Sequence, residues 1–306
     1  MTTILFVKTS SLGDVVHNCP AVSDAARALP GAHIDWVVEE AFAGVAALHA
    51  AVRRVIPVAV RRWRNRLWHP AAWSELAAFR REIARERYDA VIDTQSLVKS
   101  ALIASAAHGV RHGLDGASAR EPLAARFYDA VHAVPRALHA VERNQRLVAA
   151  ALKLPPAARV DYGLRVPRVE KSASVVLLTM TSRADKLWPE ERWVELARAL
   201  ATPVILPWGS ASERARAERI AAGIGRAEVP PRLEIDALAR LFAGARSVIG
   251  LDTGLTHFAA ALGTPTLGLY CGSDPALTGL YGMPWAKNIG GAGRAPDVRD
   301  VLRSLA

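Results

Sequence analysis

Short apolar runs alternate with longer amphipathic segments along this chain, and the alternation happens twice. In the first half Ile4–Val7, Ile34–Val38, Val55–Val60 and Ala90–Asp93 read as buried strands. Helical spacing covers Val15–Leu29, Trp73–Arg87 and Ala137–Leu152. In the second half Val175–Thr179, Val204–Leu206, Ser247–Leu251 and Thr266–Tyr270 read as strands. Between and after them Glu190–Ala201, Ala211–Ala222, Ile235–Ala243, Leu255–Leu262 and Asp297–Leu305 read as helices. Such alternation builds parallel sheets, so the expected class is α/β with two Rossmann-like domains. A length of 306 residues agrees with two domains. The boundary is expected in KLPPAARVDYGLRVPRVEKSA, Lys153 to Ala173, rich in proline and charge. That places one domain over residues 1–160 and the other, with a C-terminal helix, over 161–306.

Charge limits the partners. The net charge is +10, and residues 1–160 carry +7 of it, from 21 Lys and Arg against 14 Asp and Glu. The first half is therefore suited to an acidic partner: nucleic acid, an anionic membrane or a phosphorylated substrate. Only two cysteines occur, Cys19 and Cys271, far apart and without metal-ligand spacing. This argues against a disulfide framework or a zinc site and suits a reducing cytoplasm. No basic start followed by an apolar core marks a signal peptide at the N-terminus. Thr253–Ser273 is uncharged and long enough to span a membrane, but with His257, Pro265 and four glycines it reads as a helix plus a strand.

Five stretches carry the candidate chemistry. KTSSLGDVVH, Lys8–His17, joins the first strand to the first helix, where open α/β sheets place ligands. It is neither GxGxxG nor a P-loop. Asp14 is there either as a helix-start acid or as a general base. RRWRNRLWHPAAW, Arg61–Trp73, interleaves four arginines with three tryptophans. That mixture fits single-stranded nucleic acid, a membrane surface or an anionic amphiphile, the plainer alternative being packing tryptophans. VIDTQSLVKSAL brings Asp93, Gln95 and Lys99 to another strand end, with turn chemistry the alternative. TMTSRADKLWPEERW puts hydroxyls and Lys186 before a helix that starts at Pro189. A lysine there is either solvated or a point charge for phosphate. VIGLDTGLTHFAAALGTPT runs a strand into Asp252-Thr253-Gly254 and a helix carrying His257. Free N–H groups and the positive helix end make a diphosphate cradle, with a capped turn as the alternative.

Taken in order, KTSSLGDVVH, DWVVEE, VIPVAVRRWR, DAVIDTQSLVKSAL, AREPLA, HAVERN, DKLWPEERW, LPWG and LDTGLTH resemble the bacterial lipopolysaccharide heptosyltransferases, most of all the heptosyltransferase I group. The resemblance runs over nearly the whole chain. It implies a GT-B fold: two Rossmann-like domains facing a central cleft, the first for acceptor and the second for nucleotide sugar. It implies transfer of L-glycero-D-manno-heptose from ADP-heptose to the first Kdo of Kdo-lipid A, with inversion. No metal and no cofactor are implied, ADP-heptose being a substrate. The location implied is cytoplasmic, peripheral on the inner membrane, with no nucleic-acid partner.

Position by position, the resemblance puts the catalytic carboxylate on Asp14. Donor-binding roles fall on Thr181, Ser182, Lys186, Glu213, Leu233, Asp252, Thr253, Gly254 and His257. Acceptor-side roles fall on Ser10, Ser11, Gly13, Arg61, Arg62, Arg64, Gln95 and Arg120. Ser182 stands where threonine is common, Leu233 where methionine is common, and Thr179 where a histidine is common. Arg61–Arg66 with Trp63 and Trp68 are expected to hold the chain against an anionic membrane. Two alternatives remain at this point: a heptosyltransferase for another inner-core sugar, and a basic Rossmann-type nucleic-acid-binding protein. An NAD enzyme is disfavoured because neither half shows GxGxxG.

Overall fold

A computed structural model describes residues 1–66, 68–155 and 159–305. The chain divides into two compact units, Met1–Leu164 and Arg165–Ala306. Part of the stretch expected to join them, residues 156–158, lies outside the described residues. Residues 163 and 164 belong to the first unit: Ala50 N donates to Gly163 O at 2.9 Å, and His49 forms an antiparallel bridge with Leu164.

The first unit holds six strands: β1 Thr3–Val7, β2 His33–Glu39, β3 Val52–Val58, β4 Arg87–Asp93, β5 His108–Leu114 and β6 Ala130–His132. Its helices are α1 Leu12–Ala28, α2 Ala43–Ala47, α3 Val60–Arg64, α4 Pro70–Ile83, α5 Val98–Ala104 and α6 Ala140–Leu152. The second unit holds β7 Val175–Leu178, β8 Val204–Ile205, β9 Ala227–Glu228, β10 Ser247–Leu251, β11 Thr266–Tyr270 and β12 Ala286–Gly290. With them run α7 Glu190–Leu200, α8 Ala211–Ile224, α9 Ile235–Gly244, α10 Gly254–Ala261, α11 Pro275–Thr278 and α12 Val298–Leu305.

Strand order is β3-β2-β1-β4-β5-β6 in one sheet and β12-β11-β10-β7-β8-β9 in the other. Counted within its own unit, each is 3-2-1-4-5-6, the doubly wound dinucleotide-binding order. Every pairing in both ladders is parallel. Helices cover both faces, and the central strand β1 is apolar along most of its length; Ile4, Leu5, Phe6 and Val7 are all fully buried. The order reverses between β1 and β4 in the first unit and between β7 and β10 in the second. Ligands of such sheets sit beyond the carboxyl ends of the strands at that reversal.

Several boundaries differ from the sequence expectation. The third strand ends at Val58, and Val60 opens α3 instead of closing the strand. The helix expected over Trp73–Arg87 starts at Pro70, whose fixed φ suits a first turn, and stops at Ile83; Arg87 already belongs to β4. The helix expected from Ala137 starts at Ala140, because His139 is its N-cap and accepts from Val141 N. Thr253–Ser273 resolves into α10 and β11, as its composition indicates. Among the described residues no helix is long and apolar enough to cross a membrane.

Candidate functional site

In the first unit the site grows from the loops after β1 and β4. Val7 pairs with Asp93, so both strands end level and their loops meet. The Gln95 side-chain carbonyl accepts from the backbone N–H of Thr9 and of Ser10, both at 3.1 Å, and this fastens one loop to the other. Gln95, expected to face an acceptor, thus spends its oxygen on the loop. Asp93 is also internal. It accepts from Gln95 N, Ser96 N, Ser100 Oγ and Tyr128 Oη at 2.7–3.2 Å. Burial pushes its carboxyl up, against those hydrogen bonds.

Asp14 lies in the first turn of α1, directly after Gly13. Its Oδ2 accepts from Ser11 N at 2.8 Å and Ser11 Oγ at 3.2 Å, the return half of a capping box. Its Oδ1 sits 3.7 Å from Arg120 Nη1, an ion-pair distance too long for a hydrogen bond. Ser10 Oγ accepts from Lys99 Nζ at 3.4 Å. Hence Ser10, Ser11, Gly13, Asp14, Gln95 and Arg120 come together. Lys8 joins them, a residue within the opening motif for which sequence reasoning found no role. It is buried and donates to Thr94 O at 2.7 Å. Burial pushes its ammonium down, and the charge of Asp14 opposes that.

Arg61, Arg62 and Arg64 lie on α3, after β3, and Glu39, which accepts from Arg61 N, donates its own N–H to Thr9 O at 3.0 Å. The Arg62 guanidinium is held by Glu40 at 3.1 Å and Glu75 at 2.6 Å. Arg61 N donates to Glu39, and its guanidinium lies over the Phe42 ring at 5.3 Å. Arg64 is exposed. Trp63 does not face outward as expected: its Nε1 donates to Glu75 at 2.7 Å and its ring packs on Phe79. Trp68 and Trp73, in contrast, are 80% and 58% exposed.

In the second unit, every donor-side candidate follows the carboxyl end of a strand. Thr181, Ser182 and Lys186 follow β7, Glu213 opens α8 after β8, Leu233 follows β9, and Asp252, Thr253 and Gly254 follow β10. Asp252 is the hub. Its Oδ2 takes Lys186 Nζ at 2.6 Å and Ser273 Oγ at 2.5 Å, and its Oδ1 lies 3.4 Å from His257 Nε2. Thr181 Oγ1 donates to the Asp252 carbonyl at 3.2 Å. Burial alone would raise the Asp252 carboxyl, but the bonds from His257, Lys186 and Ser273 hold it well below the usual range. Asp252 thus ties Lys186, His257 and Ser273 together at the end of β10. Ser273 was missed because it stands far along the chain, after β11, with no motif around it.

Thr253 is the N-cap of α10 and makes no side-chain cap bond; in that first turn Thr256 N donates to Thr253 O at 3.0 Å, and the Thr253 hydroxyl caps none of the N–H groups. Gly250 allows α10 to press on β10, since a Cβ there would lie 2.2 Å from Thr256 Oγ1. Glu213 spends Oε2 on Gly209 N at 2.7 Å, bracing the turn into α8. Ser182 is exposed and Leu233 half-buried. Among the described residues no three His, Cys, Asp or Glu side chains are grouped as metal ligands.

The chain matches glycosyltransferase family 9 (heptosyltransferase) over residues 76–299. It is 47% identical over 290 residues to lipopolysaccharide heptosyltransferase 1 of Escherichia coli, covering 91% of each chain. It is 49% identical over 288 residues to the Pseudomonas aeruginosa protein of that name, covering 91% of this chain and 81% of the relative. The structure of E. coli heptosyltransferase WaaC with ADP superposes with a TM-score of 0.93 at 42% identity, over 99% of both chains. The same enzyme with ADP-2-deoxy-2-fluoro heptose gives 0.89. The fold is GT-B, and the chain belongs to glycosyltransferase family 9, the heptosyltransferases.

Proposed function

We propose that this glycosyltransferase moves L-glycero-D-manno-heptose from ADP-heptose to the first Kdo of Kdo-lipid A, with inversion and without a metal. The observation that carries this reading is Asp14: one carboxylate oxygen anchored by Ser11, the other beside Arg120 without a hydrogen bond to it. The donor is supported by the two E. coli structures, one with ADP and one with a fluorinated ADP-heptose. The acceptor is supported by the names of the relatives and by the basic first half of the chain.

In this mechanism the Kdo hydroxyl oxygen attacks the anomeric carbon while its proton passes to Asp14. The bond from that carbon to the diphosphate breaks on the opposite face through an oxocarbenium-like transition state. The electron pair leaves with ADP. Lys186, steered by Asp252, and the first-turn amides of α10 stabilise the departing charge. Glu213 takes the ribose hydroxyls and Leu233 packs on adenine. Peripheral docking on an anionic inner membrane falls to Arg64, Arg66, Trp68 and Trp73, four exposed members of the Arg/Trp stretch.

The test is ADP release from ADP-heptose in excess EDTA, with and without Kdo-bearing lipid A stripped of its acyl chains. Release that requires the acceptor and survives EDTA supports the reading. Release only with another inner-core acceptor moves the assignment to that sugar. Activity abolished by EDTA and restored by a divalent cation overturns the metal-free mechanism.

A further inference from the structure

Arg120 sits on the loop 115–121, and two other arginines hold that loop. Asp115 shapes the turn: its Oδ1 accepts from Ser118 N and its carbonyl from Ala119 N, both at 2.8 Å. Ser118 Oγ accepts from Val134 N at 2.9 Å. At the far end Glu121 N donates to Ser96 O, and the Glu121 carboxylate accepts from Val98 N at 2.7 Å. Between these anchors the carbonyls of Ser118 and Ala119 face α6 and the segment before it. Arg143 Nη2 donates to Ser118 O at 2.6 Å, and Arg136 Nη2 donates to Ala119 O. Ser118 and Ala119 are buried, whereas Arg120, the next residue, projects to Asp14.

This arrangement crowds like charges. Burial first, and then the charges of Arg136 and Arg120, push the Arg143 guanidinium down. Lys8 also feels Arg120. Arg143 Nε is buried without a hydrogen-bond partner among the described residues. An unmade bond and three neighbouring guanidinium groups disfavour the fold locally, and folds tolerate such conflicts chiefly where they position a working group. A neutral side chain would close this loop with less repulsion.

We propose that Arg136 and Arg143 are positioning residues: by holding the carbonyls of Ser118 and Ala119 they fix Arg120 against Asp14, and through it the acceptor. The inference rests on the reading of Asp14 as the base and Arg120 as an acceptor contact. Arg136 is exposed, so Arg136→Ala leaves the core intact.

The experiment measures kcat and KM for donor and acceptor, with melting temperatures, for R136A, R143A and R143K, each alone and combined with R120A. R136A and R143A are expected to lower acceptor kcat/KM about fivefold or more, with donor KM and ADP affinity unchanged. In the R120A background the same substitutions are expected to change it less than about twofold, since both act through Arg120. R143K, keeping a donor for Ser118 O, is expected to recover part of the loss. Losses that multiply with R120A, or donor and acceptor KM rising together as the melting temperature falls, overturn the proposal. If R143A does not fold, R136A decides. An Asp14→Ala variant that keeps turnover refutes the base assignment separately and leaves the Arg120 coupling measurable.

Discussion

Asp93 closes the fourth strand of its unit and Asp252 comes directly after the fourth strand of the other, each followed by threonine, yet their surroundings drive them in opposite directions. Asp93 is met by hydroxyls and backbone amides, so burial dominates and raises its carboxyl. Asp252 is met by His257, the Lys186 ammonium and Ser273, so their hydrogen bonds overcome burial and lower it. The second case fixes a pH dependence. A carboxyl lowered by folding adds stability above its unfolded value, about 3.9, and that stability is lost as pH falls toward the folded value. Asp252→Asn removes this contribution. Urea midpoints are expected to differ between wild type and Asp252→Asn by a constant amount above about pH 5, with the gap closing below about pH 4. A gap that widens in acid contradicts the ion pairs as drawn. Asp14 gives the catalytic counterpart: Asp14→Ala is expected to lose 10²–10⁴-fold of turnover, roughly the worth of a general base, while isothermal titration shows ADP affinity unchanged.

At the scale of elements, the apolar strands were legible and the polar ones were not. β1, β2, β4, β10 and β11 lie inside their sheets and consist of buried runs, so their period and composition announce them. β5, HGVRHGL, was missed because two glycines and two histidines read as a loop. The glycines answer to close approach: a Cβ on Gly109 would meet Tyr88 O at 2.3 Å, and one on Gly113 the Tyr128 ring at 2.1 Å. The site was legible in the same uneven way. Asp14, Lys186 and Asp252–Gly254 stand at strand-to-helix turns that the alternation itself locates. Lys8, Ser273, Arg136 and Arg143 act through contacts that no local spacing encodes. Gly113 tests how far such hidden contacts reach. Alanine there must displace Tyr128, whose hydroxyl holds Asp93, whose turn carries Gln95 and with it the Thr9–Ser10 backbone. Gly113→Ala is expected to cost about 1–3 kcal/mol in chemical denaturation, as overpacking does, and to lower acceptor kcat/KM beyond what Tyr128→Phe does. An unchanged kcat/KM would show that the Asp93 turn does not transmit to the site.

At the scale of the whole molecule, one strand order is used twice, and each unit puts its candidate residues on the same kind of edge, beyond the strand carboxyl ends at the order reversal. Charge separates the two. The first 160 residues hold +7 of the net +10. Within the Arg/Trp stretch Arg62 and Trp63 are half-buried and spent on Glu75 and Arg61 lies over Phe42, so the surface contribution is assigned to the exposed Arg64, Arg66, Trp68 and Trp73. Two kinds of force then act on a bilayer. Each arginine near an anionic surface is worth about 1 kcal/mol at low salt and is screened as the Debye length shrinks. Each tryptophan places an apolar body with a polar edge at the interface, a contribution that salt does not screen. Sedimentation with vesicles containing anionic lipid is therefore expected to show binding that weakens with added salt and is absent on neutral vesicles. Arg64→Gln with Arg66→Gln is expected to flatten the salt dependence. Trp68→Ser with Trp73→Ser is expected to weaken binding at every salt concentration and leave the slope in place. Neither pair touches the Asp14 cluster, so turnover on acceptor stripped of its acyl chains is expected to stay near wild type. Equal binding to neutral and anionic vesicles, or full binding by the four-fold variant, would move the docking surface off this stretch.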